Sequence, residues 1–106
     1  MTLKNASAKG RRLEHKIRDQ KAAEGYLVLR AAGSLGPVDL ICLSPNLGVL
    51  AIQAKANRWP GRAEMKELEA LAALWSPRPE WSVWVYRQRD YARSIDKREI
   101  RSDKPL

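Results

Sequence analysis

The sequence predicts an α/β domain in which one mixed central sheet is flanked by helices, in the order α-β-β-β-α-β. Three observations predict it. Two segments repeat their apolar residues at helical spacing. Four short apolar runs, bounded by turn residues, have strand character. The chain has 106 residues, enough for one domain and not two. Grouped strands with a helix before the last one argue a layered sheet rather than a bundle or a sandwich.

Residues 6–24 read as the first helix. Alanines and long charged side chains fill it, Leu13 and Ile17 lie one turn apart on one face, and Gly25 is a natural stop. Tyr26 to Arg30 is a first strand, followed by the small-residue loop from Ala31 to Pro37. Val38 to Leu43 is a second strand, ended by the turn signal Ser44-Pro45-Asn46, and Val49 to Lys55 is a third that forms a hairpin with it. Asn57 to Gly61 breaks the pattern. In the second helix, 62–75, Met65, Leu68, Leu71 or Ala72, and Trp75 share helical spacing, while Glu64 and Glu67 sit where the helix dipole favours negative charge. Ser76-Pro77-Arg78-Pro79 ends it, and Trp81 to Tyr86 is the fourth strand. From Arg87 onward the chain is polar, and 97–106 reads as a frayed basic tail on a single domain spanning 1–106.

The formal net charge is +8, unevenly placed: residues 1–30 carry eight basic and three acidic groups, 31–86 five of each, and 87–106 seven and four. Two basic ends flank a neutral middle. Nucleic acid is the polyanion such a distribution suits, because Lys and Arg on phosphates release condensed counterions; a solvated basic surface is the plain alternative. No basic amphipathic helix with bulky apolar anchors argues for a membrane surface, and no apolar run approaches the ~18–20 residues of a membrane span. Met1 to Lys16 lacks an apolar leader segment, so a cytoplasmic protein is expected. Cys42 is the single cysteine and His15 the single histidine, which excludes an internal disulfide and the usual structural zinc sets.

One charged residue interrupts each of two apolar strands: Asp39 in the second, and Lys55 at the end of the third, two places after Gln53. Ionised groups are costly to bury unless they are paired or bind metal. Alternation puts Gln53 and Lys55 on one face, and strand pairing would bring Asp39 beside them. An acid, an amide oxygen and an ammonium would then meet at one edge of the sheet. Oxygen donors suit a hard cation such as Mg²⁺, and a lysine can offset charge on a phosphate. Equally, Asp39 could cap a turn and Lys55 could snorkel at a strand end.

The order Lys9-Gly10-Arg11-Arg12-Leu13-Glu14, Gly25-Tyr26, Gly33-Ser34, Gly36-Pro37-Val38-Asp39-Leu40-Ile41 and Ile52-Gln53-Ala54-Lys55 resembles the archaeal and phage-type Holliday-junction resolvases of the PD-(D/E)xK nuclease superfamily. Residues 9–55 carry that resemblance closely and the rest more loosely. It implies a restriction-endonuclease-like fold and a Mg²⁺-dependent endodeoxyribonuclease, with Mn²⁺ able to substitute. Such an enzyme resolves four-way DNA junctions in recombination and repair. It implies that Glu14, Asp39, Gln53 and the Ala54 carbonyl hold the metal, that Lys55 is the catalytic lysine, and that Ser34 touches the reacting strand. Gln53 stands where those proteins usually have Glu. A Gln oxygen can bind a hard cation but brings no charge, so the site reads as a variant one, with loss of cleavage as the opposing reading. A phage or archaeal source fits the same likeness.

Lys9, Arg11, Arg12, Arg30 and Arg58 are the candidate phosphate contacts. Trp59 suits either DNA contact or packing, His15 the surface, and Cys42 the core. Trp75, Trp81, Trp84 and Tyr86 exceed what one short strand and a helix end bury easily. With the two-fold symmetry of a junction, they argue a C₂ homodimer. Three rivals remain: a related nicking or repair nuclease on other branched or duplex DNA, a non-catalytic basic DNA-binding module, and a small RNA-associated protein.

Overall fold

The computed structural model describes residues 2–31, 36–75 and 78–101, with residues 2–10 described by their backbone. The elements are α1 (Thr2–Ala23), β1 (Leu27–Arg30), β2 (Leu40–Ser44), β3 (Gly48–Ala56), α2 (Arg62–Trp75), β4 (Trp81–Gln88) and β5 (Asp96–Ile100). The five strands form one sheet in the order β1-β2-β3-β4-β5. All neighbours are antiparallel except β3 and β4, which run parallel because α2 returns the chain between them. The predicted α/β class and mixed sheet flanked by helices are what the chain adopts, with one strand more.

That strand corrects the reading of a frayed tail over 97–100, since 96–100 pair with β4, Val83 facing Ile100 and Arg87 facing Asp96; 102–106 lie outside the described residues. Only Ile100 of β5 is fully buried. The rest of the strand is charged and lies on core aromatics, Lys97 Nζ 5.2 Å from the Tyr86 ring centre and Arg98 Cζ 4.4 Å from that of Trp59. Long basic side chains cover apolar surface with their stems while keeping their charge wet, and charge suits a sheet edge.

The sheet divides the core in two. On one face α1 lays Leu13 and Ile17 onto Leu40, Cys42, Ile52 and Tyr86. On the other α2 lays Leu68 and Ala72 onto Ala51, Val83 and Val85. Both faces of the inner strands are covered, which explains their nearly unbroken apolar runs. The late aromatics do not form one cluster. Trp75 and Trp81 meet edge to face at 5.3 Å on the α2 side, whereas Trp84 and Tyr86 pack into the α1 side. Burial pushes the Cys42 thiol up to about 11, so it stays protonated as a core residue.

α1 ends as its sequence predicts. Gly25 adopts φ +102°, Tyr26 N donates to Lys21 O at 3.0 Å and Gly25 N to Ala22 O at 3.1 Å, the paired bonds of a Schellman cap. Lys21 is buried beside this cap, 3.1 Å from Glu24 and over the rings of Tyr26 and Tyr86. Among the described residues no helix is long and apolar enough to cross a membrane.

The β2–β3 hairpin turns on Ser44, whose Oγ accepts from Asn46 N at 3.3 Å and Leu47 N at 3.1 Å. Gly48 then takes φ +96°, and a Cβ there would collide with the carbonyl oxygen of Glu80. That same carbonyl accepts from Val49 N at 2.9 Å and starts the parallel β3–β4 ladder. Gly48→Ala is therefore expected to cost about 2 kcal/mol or more, from left-handed strain plus a backbone clash. Urea unfolding checks this; an unchanged midpoint would show that Glu80 yields freely.

Candidate active site

The site forms where β2 parts from β3. Gly36, at φ +79°, and Pro37 turn the chain, and β2 begins at Leu40, so Asp39 lies one residue before the strand. Its backbone still continues the pairing: Asp39 N donates to Ile52 O at 2.8 Å, and Ala31 N donates to Asp39 O at 2.8 Å. The β2–β3 register ends at the pair Leu40–Ile52, and the Asp39 amide bonds the same Ile52, so the chain bulges there as it leaves β3. Asp39 Oδ2 accepts the Ala54 amide at 2.8 Å. A buried N–H must find a partner, and this one fixes the carboxylate beside the end of β3.

Gln53 and Lys55 alternate onto the face that α2 covers. Gln53 Nε2 donates to Glu64 Oε2 at 3.0 Å, and Lys55 Nζ donates to Glu64 Oε1 at 3.2 Å. Gln53 is 6% exposed, and its Oε1 is buried with no hydrogen-bond partner among the described residues. Glu14 comes from α1, on the other side of the sheet. It is held by Arg30, Nε to Oε1 3.5 Å, and is near enough to act on Asp39 electrostatically.

The carboxyls are tuned in opposite directions. Burial pushes Asp39 above its ordinary value; the Ala54 amide pulls against this, Glu14 adds to it, and Lys55 and Arg30 oppose it. Burial also pushes Glu64 up, but the Lys55 ammonium and the amides of Gly61 and Gln53 outweigh it and hold that carboxyl below its ordinary value.

Asp39, Gln53, Ala54 and Lys55 thus come together, and Glu14 approaches from α1. Ser34 lies outside the described residues, as does the side chain of Lys9. Among the described residues, no three His, Cys, Asp or Glu side chains gather as a ready-made metal cage. Glu64, read from sequence only as a dipole-favoured charge, touches two of the candidate residues. The signal that could have found it is its place in the first turn of the helix that must cover the Gln53–Lys55 face.

Arg11, Arg12, Arg30 and Arg58 are all exposed. Arg12 lines a groove of 490 Å³ with Lys16, Gln88, Arg89, Asp90 and Tyr91, at the end of β3 and β4 on the α1 side. Tyr91 is 100% exposed there. Sequence reading had not singled out Lys16, Arg89 or Tyr91. The loops at this end are clamped together: Asn57 Nδ2 donates to Asp90 Oδ1 at 3.1 Å and Asp90 N to Asn57 Oδ1 at 2.8 Å. Trp59 belongs to the packing, since Arg87 and Arg98 each lie 4.4 Å from its ring centre.

No protein-family model matches the chain, and no curated protein matches its sequence. Among solved structures, the chain is similar to Archaeoglobus fulgidus Hjc, a Holliday junction resolvase from an archaeal hyperthermophile. The match has a TM-score of 0.66 at 20% identity, over 87% of this chain and 73% of that one. The two share a fold. The resolvase-like architecture expected from residues 9–55 therefore extends through α2 and β4, beyond the stretch where the sequence resemblance was close.

Asp39 yields a stability prediction. Its folded-state value lies above its ordinary 3.8, so the ionised carboxylate costs stability at neutral pH, and the cost vanishes below the unfolded value. In metal-free buffer Asp39→Asn, whose amide oxygen can still accept from Ala54, is expected to melt above wild type at pH 7. The gap should close as the pH falls toward about 4. Thermal melts across that range test it, and a lower melting temperature at pH 7 would refute it.

Proposed function

We propose that this chain is a structure-selective DNA endonuclease that resolves four-way (Holliday) junctions by Mg²⁺-dependent phosphodiester hydrolysis. The observation that carries this reading is the meeting of Asp39, Gln53 and Lys55 where β2 parts from β3, within a fold shared with a Holliday junction resolvase.

The residues present fit a hard cation. Gln53 Oε1 is buried and lacks a partner among the described residues, and the amide of the next residue, Ala54, fixes the Asp39 carboxylate; oxygen donors of this kind suit Mg²⁺ or Mn²⁺. Asp39, Gln53, the Ala54 carbonyl and Glu14 would hold it. When bound, such an ion supplies Lewis acidity, offsetting charge on the phosphate and acidifying water. The rest is done by the chain itself. Lys55 carries its ammonium at the same edge, where it can stabilise charge developing on the phosphate. Arg12, Lys16 and Arg89 line a groove suited to the sugar-phosphate backbone, with Tyr91 at its lip as a surface for an unstacked base. Ser34 would contact the reacting strand, and Lys9, Arg11, Arg30 and Arg58 would add phosphate contacts. Two matched cuts across a two-fold junction call for a C₂ homodimer, in the cytoplasm, where recombination and repair of DNA take place.

One observation favours a second reading. Position 53 brings no charge, and among the described residues no three acids form a cage, as expected of a module that binds junctions without cutting them.

A four-way junction and a linear duplex of the same sequence decide between these. With Mg²⁺, wild type is expected to nick the junction in paired fashion and spare the duplex. Asp39→Asn should bind the junction without cutting it, and Lys55→Ala should cut about 10²–10³-fold more slowly. Junction binding with no product under Mg²⁺ or Mn²⁺ would instead establish the binding module. Affinity should also fall linearly with log salt, and Arg12→Ala or Arg89→Ala should each reduce that slope by about 0.9. Unchanged slopes would place the DNA elsewhere.

A further inference from the structure

Beyond the end of β4, residues 89–92 turn the chain beside the groove. Ala92 N donates to Arg89 O at 3.1 Å, the bond of a β-turn. Side chains tie this turn on both flanks. On one, Asn57 Nδ2 donates to Asp90 Oδ1 at 3.1 Å and Asp90 N donates to Asn57 Oδ1 at 2.8 Å. Asn57 does this from a left-handed backbone, φ +70°, with its own amide donating to Gln88 O at 3.0 Å; asparagine is among the few residues that take this conformation readily. On the other flank, Gln88 Nε2 donates to Ala92 O at 3.0 Å, while Gln88 Oε1 accepts from Lys16 Nζ at 3.5 Å. What this framework holds up is Tyr91, which is 100% exposed.

Two hollows meet at Tyr91. Arg12, Lys16 and Arg89 bring positive charge to the first, of 490 Å³. The second, of 510 Å³, is lined by Asn57, Arg89, Asp90 and Ala92 with the tyrosine. An aromatic ring beside a cationic groove suits nucleic acid with open bases: the phosphates meet positive charge and a base finds a surface to stack on.

We propose that the 89–92 turn is a preset base-stacking site. One unpaired nucleobase lies on the Tyr91 ring, over the second hollow, and the phosphates flanking it follow the cationic groove. DNA with an open base, at a branch point or in a single strand, is thereby favoured over closed duplex, whose bases are already stacked on one another. The site rests on the junction reading above for its branched substrate. Asn57 and Gln88 are positioning residues: they fix the ring before DNA arrives, so that stacking does not first have to order the loop.

A solvated turn is the competing account, since single exposed aromatics are common. It gives Tyr91 no preference among forms of DNA and Asn57 no influence on binding.

The test is metal-free binding, read by fluorescence anisotropy, to a four-way junction, a linear duplex and a single strand of the same sequence. Photo-cross-linking accompanies it, from a 5-iodouracil at the branch point, inside the duplex or in the single strand. Wild type is expected to cross-link through Tyr91 from the branch point and the single strand, and not from the duplex interior. Tyr91→Ala should bind the junction and the single strand about tenfold more weakly, with duplex affinity kept to within about twofold. Tyr91→Phe keeps the ring and should bind as wild type does. Asn57→Gly suits the left-handed backbone and removes only the clamp. It is expected to weaken binding of open-base DNA about threefold or more, and to add nothing in the Tyr91→Ala background, which a general loss of structure would not reproduce.

Tyr91→Ala weakening all three DNAs alike, or none, overturns the proposal, as does a branch-point cross-link at another residue. Where wild type still prefers and cuts the junction in that case, the junction reading survives the loss of the stacking site. If Asn57→Gly weakens the Tyr91→Ala protein as much as it weakens wild type, its positioning role falls. If Tyr91 captures the single-stranded base while wild type binds junction no better than duplex, the stacking site stands and the junction reading falls.

Discussion

Where β2 leaves β3, the Ala54 amide has no backbone partner on that side, and the Asp39 carboxylate takes it at 2.8 Å. The rest of the site follows from this bond. It holds a half-buried carboxylate beside the last residues of the third strand. It also satisfies an N–H that would otherwise be buried and unpaired, at a cost of about 1–3 kcal/mol. The turn at Gly36-Pro37 is what lets β2 leave at that residue and no earlier. β3 can run on to Ala56 because its other edge is occupied by β4, in parallel register as far as Gln88. A strand supported on one side and released on the other exposes its polar edge at one place.

Charge at that place is distributed in opposed pairs. Glu14 is held by Arg30, and Glu64 by Lys55, while Asp39 accepts from the neutral Ala54 amide and is pushed above its ordinary value by burial, with Glu14 adding to the push and Lys55 and Arg30 opposing it. Among the described residues, Asp39 is thus the member without a salt bridge of its own. A partly buried carboxylate whose value stays raised costs folding energy at neutral pH, and sites of function are where such costs recur. A cation would relieve Asp39 first.

Much of this was legible in the sequence, and the failures have physical causes. Strand alternation put Gln53 and Lys55 on one face from their spacing alone, and Gly25 marked the end of α1 because only a left-handed residue completes its cap. Strand β5 was not legible: four of its five residues are charged or partly exposed, and they form a strand by laying stems and cations over Tyr86 and Trp59, a tertiary contact that no local pattern encodes. Glu64 was hidden for a related reason. Its role as a dipole-favoured residue in the first turn of a helix is a sufficient local explanation, and only the return of that helix over β3 shows the second partner. The four late aromatics looked like one cluster because they are near in sequence, yet alternation sends Trp81 and Trp84 to opposite faces.

The same reasoning limits what the net charge of +8 says about DNA. Several basic groups that raise it are committed to the fold. Lys21 is buried between two tyrosines and Glu24. Arg87 is 9% exposed and paired with Asp96 at 2.6 Å. Arg98 and Lys97 lie on core rings. Arg87, Lys97 and Arg98 glue β5 to the sheet and would be poor phosphate ligands, because drawing them toward DNA would uncover the aromatics they shield. Among the exposed basic groups, Arg12, Lys16 and Arg89 surround the groove where α1 meets the ends of β3 and β4, with Arg58 in the loop that follows β3. That end of the sheet also carries Lys55 and Glu64. The field that would draw DNA toward this domain is thus set less by how many basic residues it has than by which of them the fold leaves free, and a group of those borders the candidate site.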